Sequence, residues 1–139
     1  MFRVMVVEDT LTYRNILRHF LVGLGVGNVY MAADGAEALA LLWEDSEFDL
    51  IVCDWHMEPM DGLALCGKLQ EIPRLKEKHI PVLFMTADDK LADPEKRERV
   101  LQSMKELGVI DILPKPFSRE DILSALTKCA GYNQQPVKD

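Results

Sequence analysis

Five polar residues stand directly behind apolar runs in this chain. Glu8 and Asp9 follow "RVMVV" (Arg3–Val7), Asp54 closes "LIVC" (Leu50–Cys53), Thr86 ends "PVLFMT" (Pro81–Thr86), and Lys115 lies just past "VIDIL" (Val109–Leu113). Three carboxylates brought together repel, and each would hold its proton to higher pH. A divalent cation resolves that conflict. An all-oxygen donor set with few carboxylates and room for water suits Mg²⁺. A hydroxyl that can donate to an oxyanion and an ammonium that supplies a point charge complete the group. Such a group suits phosphoryl transfer, which depends mainly on positioning and charge neutralisation. The central carboxylate can itself be the nucleophile. Asp54 is the strongest candidate, because an unpaired acid directly behind "LIVC" would cost several kcal/mol or lose its charge.

These residues can meet only if the runs that carry them are parallel strands ending at one edge. The rest of the pattern agrees. Between the runs lie segments of helical spacing: Tyr13, Leu17, Phe20, Leu21 and Leu24; Ala36, Leu39, Ala40 and Trp43; Leu65, Cys66 and Leu69; Val100, Leu101, Met104 and Leu107; Ile122, Leu126 and Cys129. Asp34-Gly35 and Asp61-Gly62 read as turns opening helices, Asp93-Pro94 as a helix start, and Ser118 with Asp121 as a capping box. Gly108 and Gly131 stand where left-handed caps belong. Asp9 is a candidate N-cap as well as a ligand. Five strands alternating with five helices predict βαβ units and a parallel sheet covered on both faces. Ligands of such sheets bind beyond the carboxyl ends of the strands, where all five polar residues fall.

The totals fit one domain. The chain has 139 residues, of which 48% are hydrophobic, and a net charge of −7. An acidic surface disfavours direct nucleic-acid binding, which needs a basic face. No apolar run approaches a membrane span, and "MFRVMVVEDT" reads as a first strand and not a signal peptide. Cys53, Cys66 and Cys129 form no metal spacing and read as reduced core thiols of a cytoplasmic protein. Met57, Met60 and Met85 read as packing residues, and His19 as an ordinary polar histidine. The polar stretch 131–139 is expected to be a disordered tail behind a domain of residues 1–130.

"VVEDT", "DLIVCDWHMEPMDGL", "PVLFMTA" and "ILPKPF", in that order on successive strands, resemble the receiver domains of two-component response regulators. The resemblance runs from about Arg3 to Ala130. It implies a flavodoxin-like (βα)5 three-layer sandwich with strand order 2-1-3-4-5. Asp54 is then the phosphoryl acceptor. Glu8, Asp9, Asp54 and the backbone carbonyl of His56 hold Mg²⁺, and Thr86 and Lys115 contact the phosphoryl group. The Lys115–Pro116 bond is cis. His56 and Asp88 occupy positions that tune how long the phosphoryl group survives. The implied donor is a phosphohistidine on a sensor kinase or phosphotransfer protein. The implied output is protein–protein contact, through the fourth helix, fifth strand and fifth helix, or onward phosphotransfer. The chain would then be a stand-alone phosphoacceptor that catalyses its own phosphorylation and dephosphorylation, and not an enzyme acting on other substrates.

Two features depart from the family pattern. Ile112 stands where many receivers carry an aromatic that changes rotamer on activation. The stretch "DDKLADPEKRERVLQSMKE" makes the Thr86–Lys115 segment long, and it reads as a solvated loop with an extended fourth helix ahead of a partner-specific surface. Two other functions are weighed. A receiver-like module that binds without phosphorylation is disfavoured by the complete set of five. A Mg²⁺-dependent phosphatase with an aspartyl nucleophile is disfavoured because Asp54-Trp55-His56 lacks a second acid and no substrate cap is evident.

Overall fold

A computed structural model describes residues 2–129, 131 and 132. Five parallel strands, β1 (Arg3–Val7), β2 (Asn28–Ala32), β3 (Leu50–Asp54), β4 (Val82–Thr86) and β5 (Val109–Pro114), form one sheet in the order β2-β1-β3-β4-β5. All neighbours pair in parallel, as expected of the alternating pattern. The helices are α1 (Leu11–Gly23), α2 (Gly35–Glu44), α3 (Gly62–Glu71), a four-residue α4 (Pro73–Lys76), α5 (Pro94–Met104) and α6 (Arg119–Thr127). The short α4 breaks the expected count of five. It starts at Pro73, whose fixed φ suits a first helical position.

The central strands are buried on both sides, so their side chains divide between two cores. Met5, Val7, Ile51, Cys53, Val82, Phe84 and Ile112 face the layer of α2, α3 and α5. Val4, Val6, Leu50, Val52, Leu83, Met85 and Leu113 face α1 and α6. All three cysteines are free and buried, and burial pushes their thiols up, Cys66 to about 12 and Cys129 to about 11. Met57 and Met85 are buried and Met60 packs on the core, as packing residues would.

The helix starts follow the expected capping. Asp34 accepts from the Glu37 N–H at 2.9 Å, Asp61 from Ala64 at 2.8 Å, and Asp93 from Glu95 at 3.3 Å. Ser118 and Asp121 form a reciprocal capping box. Gly108 and Gly131 take positive φ. Asp9 is not a cap: the N-cap of α1 is Thr10, and its side chain makes no capping bond.

One helix is rotated from its predicted stripe, of which only Leu39 packs on the core. Ala38 and Leu42 of α2 enter the core, while Ala36, Ala40 and Trp43 are exposed beside Met60 and Ile72. Apolar residues cover most of α2, so the inner face is marked only by Glu37 and Glu44, which share the exposed side opposite Gly35 and Leu42. Arg74 stacks on the exposed Trp43 ring, 4.7 Å from its centroid.

The long segment after Thr86 divides into a turn, a helix and a second turn, where the sequence predicts a solvated loop and an extended fourth helix. A 3-10 turn at Asp89–Ala92 precedes α5, and another at Lys105–Leu107 follows it. Buried Leu91 anchors the first turn, and the Arg97 guanidinium donates to the carbonyls of Leu91 and Ala92. Within the stretch 131–139, expected to be a disordered tail, Tyr132 is held: its ring lies 5.5 Å from that of Phe2 and its hydroxyl donates to the Leu24 carbonyl. Residues 133–139 lie outside the described residues.

Candidate functional site

Parallel strands deliver their last residues to one edge. Glu8 and Asp9 follow β1, Asp54 ends β3, Thr86 ends β4, and Lys115 follows β5. The surrounding bonds fix each in turn. The Glu8 N–H donates to Ala32 of β2 at 3.0 Å, and Trp55 N–H to Met85 of β4 at 2.9 Å. Lys115 N–H donates to the Thr86 carbonyl at 2.7 Å, joining the ends of β4 and β5.

Carboxylate oxygens of Glu8, Asp9 and Asp54 lie within 4.8 Å of one another. Glu8 has no exposed surface, Asp54 is buried, and Asp9 opens to solvent. Burial and then repulsion from Asp54 push the Glu8 carboxyl up to about 7, against the opposing charge of Lys115. This crowding is what a cation would relieve. An all-oxygen triad, open on the Asp9 side, fits a hard divalent ion with water in its remaining positions. Asp9, His56, Met57, Glu58 and Asp61 line the hollow outside it.

Lys115 faces the triad from within. Its Nζ lies 3.2 Å from Glu8 Oε2 and 3.4 Å from Asp54 Oδ2. Burial pulls the ammonium's pKa down, but Asp54 and Glu8 outweigh it and the net shift is up. The lysine therefore stays a cation at neutral pH. The Lys115–Pro116 bond is cis, as the resemblance implies, and so is Glu58–Pro59 in the turn after Asp54.

Thr86 is fully buried, and its Oγ1 accepts from the Asp88 N–H at 3.0 Å. The Asp88 carboxylate is taken up by the Lys90 N–H at 3.0 Å, starting the 3-10 turn. The His56 N–H points at Asp54 Oδ1, 3.4 Å away, while its ring stacks on Trp55 with an interplanar angle of 7°. The imidazole thus lies on a ring and not in the carboxylate cluster. Ile112 is buried in the core with α5.

The close turn after Asp54 has a steric cause. α3 begins at Gly62, whose N–H donates to the Trp55 carbonyl at 2.9 Å. A Cβ there would stand 2.9 Å from the Phe84 ring and 3.1 Å from the Asp54 carbonyl. Only a residue without a side chain lets α3 come this near the strand end.

Two neighbours of the site were not legible as such. Tyr13 was assigned to the core-facing stripe of α1, yet Lys115 Nζ stands 4.1 Å from its ring centroid. Arg14 donates from its guanidinium to the Glu8 carbonyl at 2.6 Å. Both sit in the first turn of a helix that leaves the acidic strand end, which is the signal that could have found them.

The response regulator receiver domain model matches residues 4–127. Chemotaxis protein CheY-3 of Vibrio cholerae is 33% identical over 126 residues, covering 91% of this chain and 89% of that protein. Chemotaxis protein CheY of Pseudomonas aeruginosa is 32% identical over 126 residues, covering 91% and 94%. The solved structure of chemotaxis protein CheY4 of Vibrio cholerae has a TM-score of 0.74 at 32% identity, covering 92% of this chain and 98% of that one.

Proposed function

Because this chain belongs to the response regulator receiver domain family, we propose that Asp54 accepts a phosphoryl group from a phosphohistidine and passes the signal on by protein contact. One observation carries the reading. Three carboxylate groups converge within 4.8 Å, and the single ammonium of Lys115 touches two of them at the carboxyl edge of the sheet.

Glu8, Asp9, Asp54 and the His56 backbone carbonyl would hold Mg²⁺. The ion, when bound, neutralises charge on the transferring group and on its acceptor. A carboxylate oxygen of Asp54 attacks phosphorus. The new bond is the acyl phosphate O–P, the bond that breaks is P–N, and the imidazole of the donor leaves with the electron pair. Lys115, already beside Asp54, meets the equatorial oxygens of the phosphoryl group and offsets their charge. Thr86 exchanges its bond from the Asp88 N–H for a hydroxyl bond to a phosphoryl oxygen. Later attack by water on phosphorus returns Asp54 and phosphate, so the protein catalyses both its own loading and its own reset. His56 and Asp88 take the positions that, by the family resemblance, tune the rate of that reset.

The aspartyl phosphate carries roughly −1.5 to −2 charge where the carboxylate carried −1, and it brings new acceptor oxygens to a buried strand end, which biases a two-state equilibrium. The readout surface we assign is α5, β5 and α6. There Arg97, Asp111, Ile112, Asp121 and Ser124 line a cleft of about 360 Å³. The relatives named as chemotaxis proteins support a chemotaxis-like circuit with a histidine kinase upstream.

Intact mass after incubation with acetyl phosphate and Mg²⁺ tests the reading. One phosphoryl group gained by the parent, and none by Asp54→Asn or without Mg²⁺, is the expected result. Uptake by Asp54→Asn equal to the parent's would sink the assignment.

A further inference from the structure

Helix α1 reaches back to the site with an aromatic ring. The face of Tyr13 lies against the Lys115 ammonium, with Nζ 4.1 Å from the ring centroid. That ammonium's side chain is only 10% exposed, and its other partners are Glu8 Oε2 and Asp54 Oδ2. Two carboxylates and one ring face therefore enclose it. The three contacts differ in kind. The two carboxylates would also serve the divalent ion and, at Asp54, the phosphoryl group. The ring attracts a cation through its quadrupole, offers it no proton acceptor, and is worth most where water is excluded.

The ring is itself fixed from behind. Tyr13 meets Phe117 at 6.3 Å between centroids, and Phe117 meets Phe20 at 6.4 Å. Phe117 lies two residues past Lys115, across the Pro116 turn. Tyr13 thus grips the loop at both ends, by a cation on one side and a ring on the other. The root of α1 is tied down by Arg14 on the Glu8 carbonyl. Ile112, by contrast, faces the core on the opposite side of the sheet and brings no ring to the site.

We propose that Tyr13 is a positioning residue for phosphoryl transfer: its ring face holds the Lys115 ammonium at Asp54 and ties the Lys115–Phe117 loop to α1. The role in transfer rests on the function proposed above, whereas the positioning of Lys115 does not. The test separates them.

Tyr13→Phe keeps the ring and Tyr13→Leu removes it at similar apolar bulk, with Tyr13→Met as a second ring-free variant if the leucine protein melts early. The first readout is the proton NMR shift of the Lys115 ε-methylene without any phosphodonor. Ring current moves it upfield in the parent and in Tyr13→Phe, and the shift is lost without the ring. The second is the rate of phosphoryl uptake from acetyl phosphate with Mg²⁺. Tyr13→Phe stays close to the parent, and the ring-free variants slow by roughly two- to thirty-fold, the span of a partly desolvated cation–π contact. A Lys115 signal unchanged by loss of the ring overturns the positioning. Parental uptake rates in the ring-free variants overturn the role in transfer. If the parent takes up no phosphoryl group, the function proposed above has failed, and the NMR shift still decides whether Tyr13 holds Lys115.

Discussion

Lys115 Nζ lies 3.2 Å from Glu8 Oε2, linking residues 107 positions apart. β1 and β5, which deliver them, are not neighbours: β3 and β4 lie between. The contact spans the centre of the sheet because a long lysine reaches inward from one strand end to a fully buried acid at another. Removing one partner of a buried pair leaves the other charge stranded. Lys115 is therefore part of what makes the acidic edge tolerable in the folded chain.

The tolerance is incomplete, and this gives a pH dependence with a definite sign. The folded-state carboxyl of Glu8 is raised from 4.5 to about 7. The folded state then binds this proton more tightly than the unfolded chain, so its contribution to stability is fully present below about 4.5. It is lost as pH rises towards and through about 7. Lys115 is shifted upward from 10.5 and stays charged across that window. Thermal melts in chelator should show Tm falling with pH over this interval more steeply for the parent than for Glu8→Gln. Added Mg²⁺ should reverse the slope by favouring the ionised carboxylate. Parallel curves for parent and Glu8→Gln would refute it.

Asp9 should behave differently from its neighbour. It belongs to the same triad but is exposed and caps no helix. Asp9→Asn removes a repelling charge and no structural bond of α1. Its metal-free Tm should equal or exceed the parent's, while Mg²⁺ affinity drops by at least about tenfold, as expected for loss of a charged oxygen ligand. Titration calorimetry beside melts checks both halves. A destabilised protein with normal Mg²⁺ affinity would mean that Asp9 is structural.

Much of this was legible in the sequence because strand ends in a parallel sheet are set by topology alone. Glu8, Asp9, Asp54, Thr86 and Lys115 needed only the order of the elements to be brought together. What was lost depended on direction in three dimensions. Tyr13 fits the inner stripe of α1 by spacing, yet it sits in the first turn and looks along the edge to Lys115. In α2 the exposed Ala36, Ala40 and Trp43 are as apolar as the buried Ala38 and Leu42, so the stripe read from them is rotated off the core, with only Leu39 packing inward. Asp88 was read as a tuning position. Its backbone bond to Thr86 could not be seen, because a backbone N–H leaves no mark in composition.

That bond gives Thr86 a defined resting partner for its hydroxyl. Its hydroxyl accepts from the Asp88 N–H, and its carbonyl accepts from the Lys115 N–H. Thr86→Ala frees the Asp88 N–H and removes the hydroxyl proposed to meet the phosphoryl group. It should still load Asp54. Hydrogen–deuterium exchange in the parent should change across 86–92 and 109–117 on phosphorylation. In Thr86→Ala that change should be absent, and Thr86→Ser should restore it. An identical response in the alanine variant would mean that Thr86 does not couple the site to its surroundings.

Two glycines of α3 provide the sharpest contrast between packing and propensity. A Cβ at Gly62 would press on the Asp54 carbonyl and the Phe84 ring, whereas one at Gly67 meets nothing within 4 Å. Gly67→Ala lies in the middle of the helix Gly62–Glu71. It should stabilise the protein by about 0.5–1 kcal/mol, because alanine loses less backbone freedom on folding. Gly62→Ala makes the same chemical change five positions earlier. It should destabilise by about 1–3 kcal/mol, the usual cost of forcing extra volume into a packed region. Since the nearest backbone atom belongs to Asp54, the damage should extend to chemistry. Phosphoryl uptake should slow in Gly62→Ala even at temperatures where it is fully folded, and remain parental in Gly67→Ala. Denaturant melts and uptake rates on both proteins decide the matter. If Gly62→Ala were as stable and as fast as Gly67→Ala, the close approach of α3 to the end of β3 would have no part in holding Asp54 in place.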